Sequence, residues 1–315
     1  METNGLPVDK SEILFLYESS YSVPNGDPFT SEQRYDEETK KILVSDVRIK
    51  RFIRDYFDEH GKEVYVRDRR SGLEGEKGSG AALRMLELKR DYKDDSSVMS
   101  ETKGKAKPDA IKIMQKCIDV RLFGGISTEE KDAVNLTGAV QFAMLNPSLN
   151  KVDLRMHQIT SVFTSSEEKT RGAIGTTTVV PYALCQIHGW INPFSAKHTG
   201  LKQEDISEMF NALWASVNNA NTRSKSNQNS LLLLQVVYTD ANKKLYGLDR
   251  LITHKAKDGK QDEQLRSSDD YTLNFSRLKD AVEKSDAVRR VNFYTEHEPI
   301  KNELAGAAKF EEMTL

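Results

Sequence analysis

The two most apolar stretches of the chain, Ile13–Tyr17 and Leu231–Tyr238, are short, and the rest of the sequence has to fold around them. Neither approaches the ~20 consecutive apolar residues of a membrane-spanning helix. Each is therefore read as a core strand, the first over Glu12–Glu18 and the second over Leu231–Tyr238. Between them lies the clearest helix. Ile206, Met209, Phe210, Leu213, Trp214 and Val217 recur at i, i+3, i+4, i+7, i+8 and i+11, which makes one continuous apolar face. An earlier helix begins after Ser45, the expected N-cap, and runs to about His60, with Gly61 closing it. Val152–Phe163 and Thr176–Ile191 have strand composition, and the polar, Gly-containing Thr164–Gly175 joins them as a long protruding hairpin. Short strands are also expected at Glu63–Arg67 and Cys117–Phe123, and a polar loop at Ser127–Asn135.

A chain of 315 residues makes one large domain with insertions or two modest ones. Lys and Arg number 46 against 48 Asp and Glu, a net charge of −2, so no global cationic field attracts nucleic acid and any anion site has to be local. Cys117 and Cys185 cannot build a disulfide framework or a four-thiolate zinc site. Met1–Gly5 lacks the basic start and apolar run of a signal peptide, which leads us to expect a cytoplasmic protein of a reducing compartment, with no membrane partner. Asp68–Pro108 changes character: Gly72, Gly75, Gly78 and Gly80 cluster before a helical Ala81–Arg90, and charged, flexible residues follow. It reads as a surface insertion. Beyond Lys255 the chain is highly charged with weak helical patterns. The sequence of strands and helices suggests an α+β fold compatible with an RRM-like (ferredoxin-like) sheet carrying insertions.

The helix after Ser45 carries the first chemical signal. Ile49, Phe52, Ile53, Tyr56 and Phe57 share one face, while Arg48, Lys50, Arg51 and Arg54 occupy the other. A solvated amphipathic helix is one reading. The other starts from the helix dipole, which disfavours cations in the first two turns; an anion docked there would remove the conflict. The Val23–Pro28 turn just upstream could add backbone N–H groups and the Asn25 amide. Asn221, Thr222, Arg223, Ser224, Lys225 and Ser226 alternate short donors with cations, as phosphate and ribose contacts do, or form a plain polar loop. Arg171–Thr176 raises the same choice, because its glycines would let backbone approach a ligand. Enzyme signatures are lacking. Glu76–Gly80 has no phosphate-loop order, the six histidines form no metal-binding pair, and no G-x-S-x-G elbow occurs.

Pro24–Pro28 followed by Leu43–Tyr56 resembles the CRISPR-associated Cascade backbone subunit, the Cas-seven family, most closely its type I-B branch. The likeness continues in order through Asp119–Gly124, Leu136–Phe142, Ile159–Phe163, Val179–Leu184, His188-Gly189 and Asn221–Lys225. The resemblance implies an RRM-like palm with an inserted helical fingers region and a long β-hairpin thumb. On that basis 1–67, 111–145 and 179–254 would be palm, 68–110 inserted fingers, 146–178 thumb and 255–315 a charged C-terminal extension.

It further implies a non-catalytic, cofactor-free crRNA-binding subunit. Several copies would line one guide and present it to target DNA. Other Cascade subunits would be partners: the guide 5′-end capping subunit, the large and small subunits and the repeat-processing endoribonuclease. A helicase-nuclease would be recruited for cleavage. By the same resemblance the RNA-contacting helix residues are Ser45, Lys50 and Arg54, with Arg48 and Arg51 alongside and Asn25 and Gly26 on the adjoining loop. Arg171, Gly175 and Thr176 would serve in the thumb, Asn221, Thr222, Arg223 and Lys225 in the late loop, and Met156 or Ile174 as the intercalating side chain.

Two alternatives remain open. A type III-like backbone subunit would cut target RNA with a metal and a thumb-loop acid, for which Glu167 and Glu168 are the nearest residues. An enzyme binding a small phosphorylated ligand would use the basic helix as its clamp. On the backbone-subunit reading, Lys50→Ala with Arg54→Ala is expected to weaken guide binding without unfolding the chain.

Overall fold

A computed structural model describes residues 5–30, 32–67, 80–102, 105–128, 133–160 and 174–315. A seven-stranded mixed sheet organises it: β1 (Ser11–Ser22), β2 (Val140–Phe142), β3 (Arg155–Thr160), β4 (Ile174–Ile191), β5 (Gln228–Tyr238), β6 (Val288–Tyr294) and β7 (Phe310–Glu312). The spatial order is β3-β4-β1-β5-β6-β7, with β2 also paired to β4; only β6 and β7 run parallel. Eight α-helices occur among the described residues.

β1 explains why its sequence is apolar without alternation. Ile13, Phe15 and Tyr17 point to one layer, where they meet Ile49, Phe52, Ile53 and Phe57 of the basic helix (Asp46–Glu59) and Ile206, Phe210 and Leu213 of the second long helix (Gln203–Asn218). Leu14 and Leu16 point to the other, where they meet Leu232 and Leu234 of β5 together with Phe275, Leu278 and Val282. A strand buried on both faces has no solvent side to show as a polar period. Polar ties close this second layer: the Tyr182 hydroxyl bonds Glu18 at 2.8 Å and meets the Tyr271 hydroxyl at 3.0 Å, and buried Glu12 accepts from Tyr238 at 2.9 Å and pairs with His188 at 2.7 Å.

Several local expectations need correction. Leu231–Tyr238 is not the last core strand, because β6 and β7 extend the same sheet. The charged residues after Lys255 still place Leu278, Val282, Ile300 and Leu304 at helical spacing against it. Cys117–Phe123 is a helix over Ile118–Phe123, not a strand. It lies between two cores, with Ile118, Leu122 and Phe123 in one and Cys117 and Val120 in the other, so its apolar residues show no single stripe. Glu63–Arg67 forms no strand; the N–H groups of Tyr65 and Val66 go to the Asp119 carboxylate instead of a ladder. Part of the expected loop at Ser127–Asn135 is a two-stranded ribbon, Gly124–Ser127 with Val134–Thr137. Within the expected insertion, the helix Gly80–Asp91 packs Met85 and Leu88 with Val98, Ile113 and Met114 in a small core of its own.

Two glycines set how closely that ribbon approaches the Ile118–Phe123 helix. Gly124 has φ +76°, and a Cβ on Gly138 would stand 2.1 Å from the Phe123 carbonyl carbon, where backbone cannot yield. Gly138→Ala is expected to cost about 3 kcal/mol of stability. Gly80→Ala, which would meet nothing within 4 Å, should change it by about 0.5 kcal/mol at most. Urea denaturation of both variants checks the contrast.

Candidate nucleic-acid interface

The basic helix begins where the sequence placed its cap. The Ser45 hydroxyl accepts the Arg48 N–H at 3.4 Å, and the Ser45 N–H donates to the Asn25 amide oxygen at 2.6 Å. Asn25 is buried, and its own N–H donates to Gln33 at 2.9 Å. Its side-chain oxygen therefore bolts the turn onto the helix start, while Gly26 pairs with Gln33 across the turn. The late loop joins the same corner. Val23 donates to the Ser224 carbonyl at 2.8 Å, Ser20 donates to the Asn227 carbonyl at 3.0 Å, and the Lys225 ammonium donates to the Val23 carbonyl. Three segments far apart in sequence thus meet beside the first turn of the helix.

The four helix cations are not equivalent. Lys50 pairs with Asp46 at 3.2 Å and donates to Gln141 at 2.9 Å. Arg51 pairs with Asp55 at 2.6 Å, and Arg54 pairs with the fully buried Asp119 at 2.9 Å. Arg48 lays its guanidinium 3.7 Å from the Phe52 ring centroid, and among the described residues it has no carboxylate within ion-pair distance. The picture of Lys50 and Arg54 standing clear of the apolar stripe changes accordingly. At 100° per residue Lys50 falls only about 20° from Phe57, so both cations flank the stripe, over the Phe123 ring, within reach of inward carboxylates.

Lys225 is Arg48's counterpart across the corner. Burial, and then the neighbouring Arg48 charge, bring its ammonium down to about 8. Burial likewise lowers Arg48. Arg223, Asn221 and Thr222 are exposed on the same loop. Among the described residues Arg48 and Lys225 make no ion pair at this corner, which suits an oxyanion.

The hairpin rises from the adjoining edge: Val180 of β4 pairs with Ser22 of β1, next to Val23. Met156 is 77% exposed opposite Thr178, and Thr176 is exposed opposite Gln158. Gly175 and Ile174 supply strand backbone opposite Ile159 and Thr160. Arg171, Glu167, Glu168 and the side chain of Ile174 lie outside the described residues. Among the described residues no three His, Cys, Asp or Glu side chains converge as a metal-holding group.

Tyr21 escaped the sequence reading. It is 58% exposed with φ +47° and stands between the paired Ser20 and Ser22 beside the late loop. A left-handed backbone at a bulky residue is uncommon and marks a position worth attention. Its only sequence signal was a lone aromatic among serines at the end of an apolar strand.

A family profile described as CRISPR-associated protein Cas7 matches residues 9–276. A protein of Haloferax volcanii described as CRISPR-associated protein Cas7 is 26% identical over 301 residues, covering 88% of this chain and 84% of that one. Among solved structures, a chain of a "CRISPR RNA-guided surveillance complex, pre-nicking" superposes with TM-score 0.55 at 16% identity, covering 97% of this chain and 96% of that one. A chain of a "CRISPR RNA-guided surveillance complex" gives 0.52 at 14% identity, covering 97% and 95%. The two likenesses in fold span nearly the whole chain.

The ion pairs separate stability from binding. Arg54→Ala leaves the Asp119 carboxylate buried without its cation and is expected to cost about 3 kcal/mol. Arg48→Ala breaks no ion pair and should cost about 1 kcal/mol. Thermal denaturation of the two variants in the absence of nucleic acid reads the difference directly.

Proposed function

The chain belongs to the CRISPR-associated Cas7 family, and we propose that it is the non-catalytic crRNA-binding backbone subunit of a type I CRISPR effector (Cascade), of the type I-B branch. Copies of it line the guide spacer, each holding the RNA backbone and leaving bases free to pair with target DNA. Base pairing then reads sequence while the protein reads backbone shape. Its partners on this reading are the crRNA, further copies of itself, the remaining Cascade subunits and the recruited helicase-nuclease. The setting is cytoplasmic; among the described residues no helix is long and apolar enough to cross a membrane.

The observation that carries this reading is the corner at the start of the basic helix, where Arg48 and Lys225 make no ion pair among the described residues and Arg223 is exposed on the same loop as Lys225. β5-β1-β4-β2, antiparallel throughout with two long helices on one face, supports an RRM-like palm formed by 1–67, 111–145 and 179–254. The hairpin over 146–178 is the thumb, 68–110 the fingers and 255–315 the C-terminal extension. Arg48, Lys225 and Arg223 bind phosphates, with Asn221 and Thr222 on ribose or phosphate oxygens and Arg171, Gly175 and Thr176 along the thumb. Lys50, Arg51 and Arg54 lie alongside on the same helix and approach the same backbone. Asn25, Gly26 and Ser45 shape the helix start. Tyr21 offers a ring on which a base stacks, and Met156 is the exposed apolar candidate for intercalation, with Ile174 the second.

Expressed with its neighbouring operon products and CRISPR locus, the chain should purify in a particle holding several copies and one discrete RNA of repeat-spacer length. A nucleic-acid-free monomer from the same preparation would overturn the reading. For the isolated chain, Arg48→Ala with Lys225→Ala should weaken single-stranded RNA binding and flatten the salt slope by about 0.7 for each phosphate no longer neutralised. An unchanged slope in the folded double variant removes this corner from the site.

A further inference from the structure

The hairpin leaves the sheet at Val180. From there inward β4 is paired with β1; over 174–179 its only strand partner among the described residues is β3. A two-stranded ribbon has little stability of its own, and no third strand fixes its direction. One leg, β4, is continuous with the sheet. The other, β3, is reached through 149–154, a link without regular structure, so the direction of the hairpin depends on how that link is held.

Three parts of the molecule hold it. β4 takes its first residues: the Leu149 N–H donates to the Leu184 carbonyl at 2.8 Å, and the fully buried Asn150 accepts from the Leu184 N–H at 2.8 Å. The turn between Tyr35–Asp36 and Lys41–Ser45 takes Val152, whose N–H donates to the Lys40 carbonyl at 2.8 Å and whose carbonyl accepts from the Tyr35 hydroxyl at 2.7 Å. The third part is the segment after Lys255, which the RNA reading leaves without a task. There the Asp262 carboxylate accepts the Lys151 N–H at 3.0 Å through one oxygen and meets His254 Nε2 at 2.9 Å through the other. His254 stands edge-on to the Tyr271 ring, whose hydroxyl reaches that of Tyr182 in β4 at 3.0 Å.

Lys40 adds a second tie, with its ammonium 3.4 Å from Asp153 and 3.8 Å from Glu263. The Lys40 and Asp153 side chains are each 51% exposed, so these ion pairs contribute little. A carboxylate binds a backbone N–H more strongly than a neutral acceptor does, and a partner on its second oxygen fixes its orientation. Asp262 is therefore the clasp between the C-terminal layer and the link.

We propose that Asp262 is a positioning residue for RNA binding: by holding the Lys151 N–H it aims the hairpin, and the layer after Lys255 acts on RNA through the direction it gives that hairpin. This rests on the RNA-binding reading above, and it gives the charged C-terminal segment a task that needs no RNA contact of its own. Without the clasp the hairpin spends only part of its time in the competent direction, and affinity falls by that fraction. No phosphate contact is lost, so the salt dependence is kept.

The test uses the full chain with two spin labels, attached through His157→Cys on the hairpin and Asn211→Cys on the second long helix. Both positions are exposed, whereas Cys117 and Cys185 are buried. Without RNA, double electron–electron resonance should give one narrow distance distribution in the unaltered background and a broad one in Asp262→Ala. Asp262→Asn, whose amide oxygen still accepts the Lys151 N–H, should restore the narrow one. His254→Phe keeps a ring against Tyr271 and loses the bond to the carboxylate; it should broaden the distribution less, and add nothing in the Asp262→Ala background. Single-stranded RNA affinity should fall about tenfold in Asp262→Ala at an unchanged salt slope, and stay within about twofold in Asp262→Asn. A narrow distribution in folded Asp262→Ala, or one as broad in Asp262→Asn, overturns the proposal. If Asp262→Ala does not fold, His254→Phe takes its place, and a distribution and affinity equal to those of the unaltered chain overturn it. If the distances respond but not even the unaltered chain binds RNA, the RNA-binding reading fails while the clasp stands. If the distances respond and RNA affinity does not, the positioning role fails while the RNA reading stands.

Discussion

The buried carboxylate of Asp119 ties the basic helix to the rest of the molecule. It has no solvent exposure, yet it accepts three hydrogen bonds, from the Arg54 guanidinium at 2.9 Å, the Tyr65 N–H at 2.7 Å and the Val66 N–H at 3.1 Å. Those donors belong to the helix and to the chain leaving it for the insertion, while Asp119 itself sits on the Ile118–Phe123 helix. An ionised group removed from water is tolerated only when charge and hydrogen bonds replace its solvent. The requirement therefore fixes three segments against one another. Phe123, on the same short helix, then receives the flank of the basic helix, and Gly138 approaches its carbonyl where no side chain would fit.

That arrangement decides which cations remain for a ligand. Arg54 holds Asp119 and Lys50 holds Asp46, so two cations of the polar face also serve the fold. Arg48 is different because its neighbours are an aromatic ring and another cation. Asn25 repeats the pattern. Its amide oxygen closes the helix start through the Ser45 N–H and thereby holds the turn beside Lys225. Residues that hold the corner in shape and residues that leave it charged are interleaved along the same short stretches of sequence.

Much of this framework was legible in the sequence. Ser45 reads as a cap because a short hydroxyl precedes an apolar period, and the structure begins the helix at Asp46 with that hydroxyl bonded. Gly61, with φ +71°, follows the helix end as the pattern requires. The second long helix keeps the face that its six apolar positions describe. Ile118–Phe123 reads as a strand in the sequence and is a helix because a segment between two cores has no polar side, and a short apolar run does not distinguish strand from helix. Periodicity also cannot say which cation finds a carboxylate from elsewhere in the chain. Asp119 lies 65 residues from Arg54, and no local pattern joins them.

The C-terminal layer gives the cationic corner its importance. An exposed four-stranded sheet of this topology can lay bases on aromatic side chains of its open face. Here the face opposite the two long helices is closed by Phe275, Leu278, Val282, Ile300 and Leu304, packed on Leu14, Leu16, Leu232 and Leu234. Tyr182 and Tyr238 point into that layer and bond Glu18 and Glu12, so they are not available for stacking. With the broad face filled, a nucleic acid can reach this sheet only along its rim. The rim at the end of β1 carries the turn, the helix start, the late loop and the root of the hairpin. A rim gives backbone more access than bases, and Arg48 and Lys225 stand at this one without an ion pair among the described residues.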